Sequence, residues 1–145
     1  MRKLILILFL TCIVGVSFAN NNLTLKTKAR SNVYLLHNTS AQSFWIDHPI
    51  KNPSASAGWS SQIDPGHYSV LMLAMSPKGF ALSCTQLARG KVNTLSCKKV
   101  LSVSPLKIYS MPKGFYHGSF WLVENVTRSA IKYRLQQRKV FLSGN

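Results

Sequence analysis

Acidic side chains are almost missing from this 145-residue chain: Asp47, Asp64 and Glu124 stand against 18 Lys and Arg. Glycosidase-type hydrolysis needs two carboxylates flanking the scissile bond, and three scattered acids barely allow one such pair. His-Glu-x-x-His, Gly-x-Ser-x-Gly and phosphate-cradling glycine loops are missing too. Nucleophilic and acid–base catalysis need a base held by a second group. Asp47-His48 are sequence neighbours, so their side chains point to opposite faces if the strand continues. Asp64 and His67 flank a Pro-Gly turn, and His37 and His117 sit near other turns. The chain therefore reads as a non-enzyme with no catalytic residues, no metal site and no cofactor.

Cysteine is equally sparse, at Cys12, Cys84 and Cys97. A metal or redox site would want Cys-x-x-Cys spacing or nearby histidine ligands, and neither is present. The only long apolar run is Leu4–Val16, behind Arg2 and Lys3 and ahead of Ser17-Phe18-Ala19. It is short of the ~20 residues that span a membrane, and Asn20-Asn21-Asn22 ends it. Residues 1–19 thus read as a secretory signal peptide cut at Ala19/Asn20. Lipidation at Cys12 is the alternative, but Phe9-Leu10-Thr11 lacks the small residue expected before such a cysteine. Export into an oxidising periplasmic or extracellular space removes Cys12 and leaves an even pair. Cys84 and Cys97 are then expected to form one disulfide.

Two of the 18 basic residues leave with the signal, so 16 face three acids, a formal charge of +13. That excess favours an anionic partner: lipid headgroups, polysaccharide or an acidic protein. Nucleic acid is disfavoured for an exported chain with no recognisable binding motif. A merely solvated basic surface is the plainer reading, because Lys98-Lys99 and Arg138-Lys139 are the only adjacent basic pairs after the signal.

Residues 20–32 are polar and read as a flexible lead-in to one domain over 33–145. From Val33 turn signals recur every eight to twelve residues, as expected for an all-β sandwich-like fold. The strand candidates are Val33–His37, Phe44–Ile46, Trp59–Ile63, His67–Ala74, Gly79–Cys84, Leu95–Val103 and Ser119–Glu124. Phe80, Leu82 and Cys84 share one face, and Leu95, Cys97 and Leu101 share a face of the next strand. Lys99 falls on that same face and implies a fray or bulge. His67–Ala74 is apolar on both faces, which suits a central strand. Beyond Glu124 the pattern turns helical at about 126–138, a single C-terminal helix capped by Asn125 or Thr127. Its apolar stripe is split, with Ile131 and Leu135 apart from Val126, Ala130 and Tyr133. That suits packing on a sheet better than lying on a membrane.

Trp45, Trp59, Tyr68, Tyr116, Phe120 and Trp121 are many aromatics for this length, although Phe120 and Trp121 lie in an apolar strand that suits a core. Aromatic-plus-basic surfaces serve recognition, so the candidate binding surface comprises Trp45, Asp47, His48, Trp59, Lys98, Lys99, Arg138 and Lys139. A membrane-active protein inserting Trp45 or Trp59 is the alternative, and a hydrolase a more distant one. Asn22-Leu23-Thr24, Asn38-Thr39-Ser40 and Asn125-Val126-Thr127 are glycosylation sequons, relevant only where the source glycosylates.

Several segments, taken in order, resemble a known family. They are Asn38-Thr39-Ser40, Trp45-Ile46-Asp47-His48-Pro49, Asn52 to Ser61, Pro65-Gly66, Ser83-Cys84, Gly90-Lys91-Val92 and Gly118 to Glu124. Together they resemble the small secreted B members of the enhanced-entry proteins associated with intracellular bacterial pathogens. The resemblance covers nearly all of the mature domain, most specifically from Asp47-His48-Pro49 to Gly58-Trp59-Ser60-Ser61. It implies an exported protein linked to host-cell entry and carries over no catalytic residue. Arg138-Lys139-Val140 departs from the pattern, standing where a glycine turn is expected, and leaves the final strand open.

Overall fold

The computed structural model describes residues 21–25, 31–48, 60–74, 80–110 and 120–143. The strands are β1 (Leu23–Leu25), β2 (Ser31–Asn38), β3 (Phe44–Asp47), β4 (Ser60–Ile63), β5 (Tyr68–Ala74), β6 (Phe80–Ala88), β7 (Lys91–Leu95), β8 (Leu101–Leu106), β9 (Ile108–Ser110), β10 (Phe120–Val126) and β11 (Phe141–Leu142). Helices α1 (Cys97–Val100) and α2 (Ala130–Gln137) interrupt them. The expected signal with its expected cut at Ala19/Asn20, the loop Pro49–Gly58 and Trp59 lie outside the described residues.

Two antiparallel sheets face each other. One runs β10-β5-β2-β8. In the other, β3 lies between β4 and β6, and β1 and β7 both pair with β6. The two short strands meet where Cys97 N–H donates to the Asn21 carbonyl at 3.1 Å. A small third sheet joins β9 to β11.

Strand alternation explains the layering. On β5, Leu71 and Leu73 enter the core between the sheets, where they meet Leu36, Phe44, Ile46, Ile63, Leu82 and both cysteines. Val70 and Met72 point the other way, onto Ile131 and Leu135 of α2 and Val140 beyond it. β5 is buried on both sides because it is sandwiched between a sheet and a helix. Burying each such side chain contributes about 1.5–3 kcal/mol. Pro105, with no N–H to donate, sits on edge strand β8.

Cys84 and Cys97 form the expected disulfide, S–S 2.07 Å with Cα atoms 5.3 Å apart. Both are fully buried.

Several boundaries differ from the sequence pattern. The lead-in holds β1 and the first residues of β2, because Leu23 and Leu25 pair with Leu82 and Phe80 and cap the inner core. The run Leu95–Val103 is not one strand. After Leu95 the chain makes one helical turn, α1, then continues as β8 in the opposite sheet. This resolves the misfit of Lys99: the turn keeps Cys97 and Leu101 buried, four residues apart, and leaves Lys98 and Lys99 in solvent. Among the described residues the C-terminal helix is therefore the second of two. It begins at Ala130 rather than 126 because Val126 is claimed by β10, paired with Tyr68 beyond a register shift. Asn125 sits at that shift with φ 42°. Neither Asn125 nor Thr127 is the N-cap, a position taken by Ser129 without a side-chain hydrogen bond.

Arg138-Lys139-Val140 closes the end of α2. Val140 N–H bonds the Leu135 carbonyl at 3.0 Å and Lys139 N–H bonds that of Gln136 at 2.8 Å. This is the Schellman pattern, whose C′ residue is usually a left-handed glycine. Lys139 occupies it with φ 56°, and Val140 packs beside Leu135. The chain then forms β11 against β9.

Candidate functional site

The outer face of the sheet that holds β3, β4 and β6 carries part of the candidate surface. Trp45 and Asp47 alternate with buried Phe44 and Ile46 and so point outward from β3, Trp45 with 39% of its surface exposed. Gln62 and Thr85 flank Trp45, and Ser60 and Ser83 flank Asp47. Asp47 accepts a hydrogen bond from Thr85 Oγ1 at 2.7 Å and another from Ser60 Oγ. His48 turns away from this face. Its ring stacks on Phe80 at 3.9 Å and Nδ1 lies 2.9 Å from the Ala81 carbonyl. Asp47 and His48 are thus separated, and His48 helps seal the end of the core.

The remaining histidines among the described residues are also engaged in packing or turns. His37 stacks on Tyr68, ring centroids 4.2 Å apart, and His67 Nδ1 lies 3.2 Å from the Pro65 carbonyl. Among the described residues no group of three His, Cys, Asp or Glu could hold a metal ion.

Asp64 works as a structural pin. Its carboxylate accepts Asn125 Nδ2 at 2.7 Å, Ser43 Oγ at 2.7 Å and Gln62 Nε2 at 3.0 Å, while its own N–H donates to Asn125 Oδ1 at 2.9 Å. The Asn125 bond, then those of Ser43 and Gln62, hold its pKa down at about 2. The sequon residue Asn125 therefore ties β10 to the β4–β5 turn. Asn38, the other central sequon residue, is fully buried and makes four side-chain hydrogen bonds. A glycan has no room there in the folded domain.

Basic side chains are distributed differently. Arg89, Lys91, Lys98, Lys99, Lys107, Arg128, Lys132, Arg134, Arg138 and Lys139 are all exposed. They do not form one cluster. Lys98 and Lys99 sit on α1, whose Cys97 packs into the inner core, whereas Arg138 and Lys139 follow α2 on the outer face of the β10-β5-β2-β8 sheet. Composition alone misses a further feature, the β6–β7 hairpin. Arg89 and Gly90 form its two-residue turn, with φ 51° and 73°, the positive pair that a type I′ turn requires. Exposed Leu87 and Val92 face each other across it, beside Arg89 and Lys91. The Leu-Ala-Arg-Gly-Lys-Val run was its sequence signal. No protein-family model, curated protein or solved structure matches the chain.

Proposed function

We propose that the mature chain is an exported, non-enzymatic binding domain that docks through its basic surface onto an anionic envelope or host surface. The observation that carries this reading is an asymmetry of charge. Every Lys and Arg among the described residues is exposed, whereas Asp47 and Asp64 are occupied by uncharged donors. Both stay charged, but with Glu124 they offset only three of the 16 basic residues that follow the signal. From Arg128 to Lys139 five basic residues occur without an acid. A cation near an anionic membrane surface contributes roughly 1 kcal/mol to docking, so a handful acting together suffice for useful affinity. A disulfide suits an oxidising destination, and the resemblance to the enhanced-entry proteins favours a host-facing one.

The test is co-sedimentation with vesicles rich in anionic lipid, against vesicles of neutral lipid. Arg134→Glu, Arg138→Glu and Lys139→Glu combined, all from the basic run at α2, should weaken anionic-vesicle binding at least tenfold, by the same ~1 kcal/mol per charge. Unchanged binding would refute charge-driven docking. Release of entrapped dye would instead favour the membrane-active reading.

A further inference from the structure

Among the described residues, the outer face of the β10-β5-β2-β8 sheet is only partly covered. Helix α2 has eight residues, about 12 Å of axis at 1.5 Å per residue. Four strands spaced about 4.8 Å apart present a face at least that wide. α2 lays Ile131 and Leu135 over Val70 and Met72, and leaves Leu35 of β2 and Leu106 of β8 half-buried. Between these leucines, α2 and β11 lies a groove of about 460 Å³.

Its floor is apolar: Leu35, Leu106, Ile131, Leu135 and Val140. One wall is Lys132 and Gln136, four residues apart on one side of α2, together with Arg128 from the turn before it. The other wall is Phe141 and Leu142, 45% and 40% exposed. Among the described residues no carboxylate lines the groove.

We propose that this groove binds a single fatty-acid carboxylate. The apolar floor takes the alkyl chain, where each buried methylene is favourable. Arg128 and Lys132 at the rim meet the carboxylate, and no other acid among the described residues lines the groove to repel it. The volume lies within the ~300–1,000 Å³ typical of small-molecule sites. A two-chain lipid would leave its second chain in water. The site does not rest on surface docking: a protein that ignores anionic vesicles would still bind the acid.

Isothermal titration of the purified protein with decanoate, decanol and acetate tests the proposal. Decanoate should bind saturably at one per chain, about tenfold tighter than decanol, and acetate should not bind. A tenfold difference corresponds to about 1.4 kcal/mol, within reach of two partly exposed charge contacts. Arg128→Ala with Lys132→Ala should erase the preference for decanoate over decanol while leaving the melting temperature within a few degrees. Leu142→Glu, at an exposed wall position, should weaken decanoate binding at least tenfold. Absence of saturable decanoate binding up to 1 mM would overturn the proposal. So would affinity indifferent to the carboxylate, or unaltered by Leu142→Glu.

Discussion

Replacing Asn38 by Ala removes a small, fully buried network whose cost can be worked through bond by bond. Nδ2 donates to the carbonyls of Gln42 at 2.9 Å and Ile63 at 3.0 Å. Oδ1 accepts from Ser40 N–H at 2.8 Å and Ser40 Oγ at 2.7 Å. Water can replace the amide at Ser40 and Gln42, which lie toward the surface, so those losses are about 0.5 kcal/mol each. The Ile63 contact is buried, and a stranded acceptor there costs about 1–3 kcal/mol. The total is about 3 kcal/mol. For a domain of this size that lowers Tm by roughly 10–15 °C. Asn38→Asp should do no better, because it keeps the acceptor and turns the donor into an oxygen facing two carbonyls. Thr39→Ala, which loses one exposed bond to the Val100 carbonyl at 3.2 Å, should stay within about 1 kcal/mol of the parent. Chemical denaturation followed by tryptophan fluorescence measures all three. A loss below about 1 kcal/mol for Asn38→Ala would refute the assignment of Asn38 as a buried structural hub.

Three other outcomes follow from the same contacts. Reducing Cys84–Cys97, 13 residues apart, should cost about 3 kcal/mol by the chain-entropy relation, seen as a lower denaturation midpoint with reductant. Asp64 has its folded pKa lowered from 3.8 to about 2. Its contribution is therefore present above pH 4 and lost as pH falls toward 2, and Asp64→Asn should flatten that part of the acid-denaturation profile. Lys139→Gly should stabilise by about 0.5–1 kcal/mol, since relief of the left-handed strain, ~1–2 kcal/mol, outweighs the extra chain entropy. Lys139→Ala should bring no such gain in thermal melts.

The legible parts of the fold were those where periodicity and burial agree. His67–Ala74 reads as apolar on both sides, and β5 is covered by a sheet on one face and α2 on the other. Phe80, Leu82 and Cys84 alternate inward as their spacing requires. Alternation misled at Leu95–Val103, because one helical turn can replace a strand while keeping Cys97 and Leu101 buried. It misled at Val126 too, where a left-handed Asn125 shifts the register by means no local pattern reveals. Among the candidate site residues, Trp45 and Asp47 share the outward face of β3, but His48 does not join them. The two basic pairs fall on different layers, a consequence of sheet order rather than of sequence. The groove beside α2 is non-local as well: its floor and walls come from β2, β8, α2 and β11, more than a hundred residues apart in the chain.

Docking driven by charge, as we propose, must weaken with ionic strength. Binding to anionic-lipid vesicles is measured as salt rises from about 50 mM to 1 M, where the Debye length shrinks to about 3 Å. The account predicts that binding falls steadily and is lost at the high end, with little binding to neutral vesicles throughout. Binding that persists unchanged at 1 M would contradict it.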